Sequence, residues 1–387
     1  MGDIKQYNGQ EENWEVQQPY IYWMTNTKGI GSLTIGKLIK HAGSPKAVYE
    51  MALQDMGKII PPNKAAALEA AKEKGTVMEQ YSRLKEKNIG FYSIYHPDYP
   101  RRLKNIPDRP YAIYVEGTLP KEETPSIAVI GARQCSDYGR FMARQCGREL
   151  AEAGINVISG LARGIDGISQ KSALEAGGRT YAVLGCGTNI CYPGENRFVY
   201  EKAKENGAVI SEYPPDTPPA PGLFPRRNRI ISGLADLVLI IEARTKSGTL
   251  ITADMALEQG KEVYVLPGRV TDPLSQGCNQ MLKQGAGLFT SVACLLEETG
   301  LPVRKKWENV TQQNNFNKQD ALCGKMSGEE DKTVRKVLDA LDFYPKDTEC
   351  LMQETQMEYR ALICILSRLC LDGRAARVSA DQFIKKV

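Results

Sequence analysis

Between Ser126 and Glu298, short apolar runs alternate with stretches of helical periodicity. The runs are Ile127–Ile130, Asn156–Ser159, Thr180–Leu184, Ala208–Ser211, Leu237–Ile241 and Glu262–Leu266, each rich in Val, Ile, Leu or Ala. A glycine or turn residue follows each run, and then a helical pattern such as Tyr138–Ala153 or Thr249–Gln259. Runs that are apolar throughout predict strands covered on both faces, because a strand with one wet face would alternate. The pattern therefore predicts an α/β fold: a Rossmann-like, doubly wound, mostly parallel sheet whose ligand edge is the row of strand carboxyl ends.

The flanks follow a different period. From about Tyr20 to Gly75 the spacing is helical, with Thr25-Asn26-Thr27-Lys28-Gly29-Ile30-Gly31 between two apolar stretches. That glycine-containing turn could offer amides to a phosphate, or could simply connect two helices. After residue 300 the chain turns polar around Thr311-Gln312-Gln313-Asn314-Asn315 and reads as a flexible linker. Beyond it, Val334, Val337, Leu338 and Leu341 mark one helix, Asp347–Met352 a second and Glu358–Cys370 a third. A turn at Leu371-Asp372-Gly373 leads into two extended segments, Ala375–Val378 and Phe383–Val387, which is the winged-helix order. The expected organisation is a tail (1–19), a helical domain (20–95), a Rossmann-like domain (96–299), a linker (300–330) and a C-terminal domain (331–387).

Composition narrows the functional classes. The chain has 387 residues, 42% hydrophobic and 25% charged, with a net charge of +4. Any nucleic-acid role must therefore come from local clustering of cations. No apolar run is long enough to span a bilayer and no signal-peptide pattern opens the sequence, so a cytoplasmic protein without membrane insertion is expected. Its ten cysteines form no C-x-x-C pair and only His41 and His96 could add imidazole, so neither zinc nor any other cofactor is expected. Buried, reduced thiols are the expected state of most of these cysteines.

The densest candidate chemistry lies at Phe224-Pro225-Arg226-Arg227-Asn228-Arg229, where three arginines and an aromatic ring occupy six residues after a proline-rich loop. Guanidinium forks clasp phosphate and a phenyl ring offers a face to a base, although a solvated helix N-terminus would look the same. Nearby strand ends add Gly131 with Arg133, Ser159 and Gly160 with Arg163, and the turn Ser247-Gly248. Free amides at such turns attract anions. Missing motifs exclude several alternatives: the first strand lacks G-x-G-x-x-G, Lys246-Ser247-Gly248-Thr249 has the wrong order for a P-loop, and no G-x-S-x-G is present. Asp166, Glu212 and Glu242 could act as acid and base. The structural reading is preferred, with Asp166 capping the following helix and Glu242 neutralising an arginine.

The order of motifs resembles the DNA-processing family DprA, also called Smf. The resemblance is carried by Ile130-Gly131-Ala132-Arg133, Ser159-Gly160-Leu161-Ala162-Arg163-Gly164-Ile165-Asp166, Phe224 through Leu234, Glu242-Ala243 with Ser247-Gly248-Thr249, Pro267-Gly268, Gly277-Cys278-Asn279 and Gly285-Ala286. Tyr99-Pro100 and Tyr114-Val115-Glu116-Gly117 resemble its lead-in segment. The resemblance implies a non-catalytic, dimeric single-stranded DNA-binding protein that protects incoming strands and loads RecA recombinase during natural transformation. It also implies an N-terminal sterile-alpha-motif or helix-hairpin-helix domain and a C-terminal winged helix. Carried over by position, Arg133, Arg163, Phe224, Arg226, Arg227 and Arg229 would line the DNA groove, with Gly131, Ser159, Gly160, Asn228, Ser247 and Gly248 beside them. Two departures are visible: Ser169-Gln170 stands where the family usually has Ala-His, and Arg163 where lysine is common. The enzymatic alternative is a phosphoribohydrolase-like nucleotide hydrolase, whose P-G-G loop is not continued by Pro267-Gly268-Arg269.

Overall fold

The computed structural model describes residues 14–73, 76–304, 307 and 329–386. They fall into two compact units, one drawn from residues 1–134 and 143–304, the other from 135–142 and 305–387. Most of the expected linker, with the segment Thr311-Gln312-Gln313-Asn314-Asn315, lies outside the described residues.

A nine-stranded sheet organises the first unit. All six strands expected from sequence are present: β3 (Ser126–Ile130), β4 (Asn156–Ser159), β5 (Thr180–Leu184), β6 (Gly207–Ser211), β7 (Leu237–Ile240) and β8 (Glu262–Val265). They are parallel, in the order β6-β5-β4-β3-β7-β8, with a short β9 (Gly287–Leu288) beyond β8. Strand order reverses between β3 and β7, the switch point at which doubly wound sheets open a crevice. Strands β3 to β7 are buried at every position, as their continuous apolar character requires. On one face, Leu103, Ile230, Ile231, Leu234, Ala253 and Met281 pack over Ile130, Val183 and Val238. Elsewhere Leu161, Val199, Tyr200 and Ala203 cover Ala182, Leu184 and Val209.

Two strands that the apolar pattern did not reveal, β1 (Gly90–Ser93) and β2 (Ala112–Gly117), join antiparallel outside β6. Six helices between Trp14 and Glu86 enclose a core that includes Phe91, Ala112 and Tyr114 from these strands. The first helix, α1, runs Trp14–Asn26 and so begins inside the expected tail. Buried Gln18 donates its side-chain amide to the Phe91 carbonyl and accepts from the Ser93 amide, 3.2 and 3.0 Å, so α1 binds the outer edge of β1. The expected boundary after residue 95 thus falls between two strands that pair.

In the second unit, helices Glu329–Ala340, Thr348–Thr355 and Tyr359–Leu371 are followed by strands Ala375–Arg377 and Gln382–Lys385, with Lys346–Asp347 as a third strand. Val337, Leu351, Leu362, Leu366, Leu369 and Phe383 form its core. The Asp347 side chain accepts from the Cys350 amide at 2.7 Å, fixing the start of the second helix.

Cysteine burial differs from expectation. All nine described cysteines are free, but only Cys146, Cys186 and Cys278 are fully buried. Burial pushes the Cys186 thiol up to about 11 and that of Cys278 to about 12, and raises Cys146 as well. Because the thiolate is the reactive form, a raised pKa means slower alkylation. Brief iodoacetamide treatment of the native protein near pH ~8, followed by peptide mass mapping, should label exposed Cys364 and spare these three until the chain is unfolded.

Candidate functional site

The switch point brings three strand ends side by side. The turn after β4 carries Arg163, the turn after β3 carries Arg133, and the loop after β7 carries Arg244 and Lys246. All four side chains belong to exposed residues. The first two turns are laced together at Gly164, the N-cap of α9 (Ile165–Glu175), whose φ of 73° favours glycine. A Cβ there would lie 2.2 Å from the Ala132 carbonyl oxygen, so the turns touch only because residue 164 lacks one.

Beneath this rim lie two buried, oppositely charged side chains, Asp166 and Arg227, that interact electrostatically. Asp166, 7% exposed, does not cap α9 as expected; its carboxylate accepts from the Gly160 amide at 3.1 Å and is also bonded to the Gly131 amide. Burial raises its pKa, while Arg227 and these donors pull it back. The amides of Gly131 and Gly160, expected to be free for an anion, are therefore satisfied by an internal carboxylate. Ser159 is likewise buried, donating to the Val129 carbonyl at 2.6 Å.

Arg227 and Arg229 lie in the interior, not on the expected rim. Helix α11 (Leu223–Leu234) buries residues 227 and 229–234, among them 227, 230, 231 and 234 at a spacing of i, i+3, i+4 and i+7. Arg227, 4% exposed, donates to the carbonyls of Gly160 and Val183. Burial pushes its guanidinium down to about 10, and Asp166 opposes the shift. Arg229, 7% exposed, donates from one guanidinium nitrogen to both Glu212 carboxylate oxygens at 2.7 and 2.8 Å and meets Asp108 at 3.1 Å. Asn228 accepts from the Arg227 Nε at 3.3 Å. The side chain of Gln170, at the position where the family resemblance leads one to expect histidine, is buried with three partners: it accepts from the Leu161 amide and donates to Thr180 and the Tyr181 carbonyl.

The remaining expected residues do face outward. Arg226 and Arg133 are exposed, and the Arg133 guanidinium lies 5.8 Å from the centre of the Phe224 ring. Phe224 stacks with Tyr192 at 5.6 Å between centroids and 26° between planes. The ring rests on Gly185, where a Cβ would come within 2.7 Å of it. Arg163 forms a bidentate pair with Glu195 at 2.6 and 2.9 Å, but both side chains are more than 60% exposed, so an incoming phosphate can compete for the fork. Ser247 caps α12 (Gly248–Glu258), accepting from the Thr249 amide at 3.1 Å. Sequence reasoning missed Tyr192, which lies 46% exposed on a separate loop with no local pattern to mark it.

An exposed cation over an aromatic pair, flanked by further cations along the edge of a doubly wound sheet, defines a protein suited to polyanions with stackable groups. A profile of the family described as DNA recombination-mediator protein A matches residues 90–300, and the chain belongs to that family, known as DprA or Smf. It is 46% identical to the Smf protein of Escherichia coli over 200 residues, covering 51% of this chain and 54% of that one. Identity to Smf of Synechocystis is 33% over 287 residues, 72% of each chain. The X-ray structure of DprA from Streptococcus pneumoniae superposes with a TM-score of 0.65 at 31% identity, covering 72% of this chain and 97% of that one. A Helicobacter pylori DprA structure, described as showing a single-stranded DNA binding mode, gives 0.50 at 29% identity, with 56% and 97% covered.

Removing Arg227 would leave Asp166 buried without its counter-ion. Arg227→Ala should cost about 3–5 kcal/mol in denaturant unfolding, whereas Arg226→Ala should stay within about 0.5 kcal/mol of wild type. Equal effects of the two substitutions would refute the division between interior and rim.

Proposed function

We propose that this protein binds single-stranded DNA in DNA processing and recombination, with the strand lying along the carboxyl ends of β4, β3 and β7. Arg163, Arg133 and Arg226 meet phosphates while Phe224, backed by Tyr192, stacks on a base. The cation-over-aromatic platform at Arg133 and Phe224 carries this reading, since it pairs charge with a stackable face at the carboxyl edge of the sheet. The single-stranded DNA binding mode described for the Helicobacter pylori protein supports it. Ser247 and Gly248 add an amide end at the far side of the path, and Arg227, Asn228 and Arg229 hold the platform from below.

The further parts of the reading are also proposals. The protein acts as a homodimer that protects incoming strands in the cytoplasm and delivers them to RecA recombinase. Its N-terminal helices serve as a sterile-alpha-motif or helix-hairpin-helix domain, and residues 329–386 as a winged helix. Among the described residues, no helix is long and apolar enough to cross a membrane. The protein is read as a binding protein without catalysis. A nucleotide hydrolase would need an accessible carboxylate, whereas Glu242 is 2% exposed, Asp166 is 7% exposed and Glu212 is engaged by Arg229.

Fluorescence titration of a labelled oligothymidylate tests the strand path. Phe224→Ala should lose about 1–3 kcal/mol of binding free energy, the usual worth of a stacked base. Arg133→Ala should weaken binding about tenfold and reduce the slope of log affinity against log salt by about 0.7, as expected when one phosphate contact is lost. Wild-type affinity in both variants would defeat the proposed placement.

A further inference from the structure

At the opposite edge of the sheet, where β3, β4 and β5 begin, the structure contains a cavity of about 210 Å³. Its floor is formed by buried Asn156 and Tyr181, its walls by Thr124, Ala151, Gly154 and Gly178, and its rim by Lys121, Arg179 and Arg304. All of these residues belong to the first unit. None of the lining residues is acidic. The neighbouring Glu122 carboxylate is turned to the Arg101 amide at 2.7 Å, and Asp236 is held by Arg102 at 3.0 Å.

Among the described residues these cations form no ion pair, and backbone features place Arg304. The Arg304 amide donates to the Ala153 carbonyl at 2.9 Å, and its side chain crosses Gly154, where a Cβ would lie 2.6 Å from its Cγ. Gly154 has a φ of 87°, so a larger residue is disfavoured there both by conformation and by the arginine. The Arg179 guanidinium hydrogen-bonds the Tyr181 hydroxyl. A purely structural role is available for these groups, because α8 (Asp137–Ala153) ends here and helix C-termini carry about half a negative charge. Three full positive charges exceed that half charge, and they surround open volume instead of packing against the carbonyls.

We propose that this cavity is a second anion site, distinct from the strand edge, that binds a phosphate group carried by a small molecule. The volume corresponds to several waters at about 30 Å³ each, more than a bare phosphate needs and less than the ~300 Å³ at which drug-sized pockets begin. Guanidiniums from Arg179 and Arg304 would fork onto the phosphate oxygens, with Lys121 as a point charge and Asn156 and Thr124 as neutral partners. Two sources share this chemistry: a free phosphate or nucleoside monophosphate, and the terminal phosphate of a DNA strand. The volume favours the first.

Calorimetric titration of the full-length protein with inorganic phosphate and with adenosine monophosphate, at constant ionic strength, tests the site. Saturable binding should weaken about tenfold in Arg304→Gln and in Arg179→Gln, and stay unchanged in Arg133→Ala, whose side chain is at the other edge. Non-saturating heats, wild-type affinity in the Arg304→Gln and Arg179→Gln variants, or loss of binding in Arg133→Ala would each overturn the assignment. A 5′-phosphorylated oligonucleotide that competes with phosphate better than its 5′-hydroxyl counterpart, with the advantage abolished by Arg304→Gln, would overturn the choice of a small molecule.

Discussion

The candidate edge depends on two buried, opposite charges, Asp166 and Arg227, which attract each other electrostatically while both bind the backbone of Gly160. Parallel strands ending in glycine turns leave amides without intrastrand partners, and such groups must be paired when water is excluded. Asp166 takes up the amides of Gly160 and Gly131, and the charge this buries is balanced by Arg227, which in turn binds the carbonyls of Gly160 and Val183. One pair thus joins the ends of β3, β4 and β5 to α11. The arrangement is costly to desolvate, and its value lies less in net stability than in fixing a single geometry for the loops above it. Arg133 and Phe224 project from two of the elements so joined.

This division of labour explains why a short arginine-rich stretch contains residues of opposite fate. Along α11 the inward positions are set by a 3.6-residue period, and Arg227 falls on the same stripe as Ile230, Ile231 and Leu234. Arg226 is rotated about 100° from it and reaches solvent. Arg229 is drawn inward by Glu212, which also accepts from Ser32 at 3.0 Å and so ties the N-terminal helices to the carboxyl end of β6. Guanidinium is suited to both tasks because it stays charged when buried and presents several donors in a fixed plane.

The parallel strands were legible in the sequence because the double-sided burial of β3 to β7 demands largely apolar runs, and the runs coincide with β3 to β8 within a residue or two at each end. β1 and β2 were not, since Gly90-Phe91-Tyr92-Ser93 is short, has a half-buried side, and pairs only with a strand twenty residues later. In the site, residue types identified the chemistry but not which way each side chain points. The helical stripe would have placed Arg227 inside, had periodicity been applied to the arginines as strictly as to the isoleucines. Nothing local could have shown that the Gly131 and Gly160 amides are taken by Asp166, because that contact is set by how two loops close on one another. Tyr192 was hidden for the same reason: its stacking on Phe224 joins positions 32 residues apart.

The two ends of the parallel strands, compared, show what distinguishes a surface for a polymer from a cavity for a small ion. At the carboxyl end the cations are spread over three adjacent turns, and the aromatic pair is partly exposed, Tyr192 at 46%, so contacts can repeat along a chain of phosphates and bases. At the amino end Lys121, Arg179 and Arg304 converge on a single, partly open pocket without an exposed ring among the lining residues. Convergence favours one compact charge, because each guanidinium adds to the same potential, whereas spreading favours a ligand that carries its charges at intervals. The same residue types thus serve different anions at the two edges, and the difference lies in the backbone: open turns at one end, and the side-chain-free Gly154 and Gly178 admitting arginine at the other.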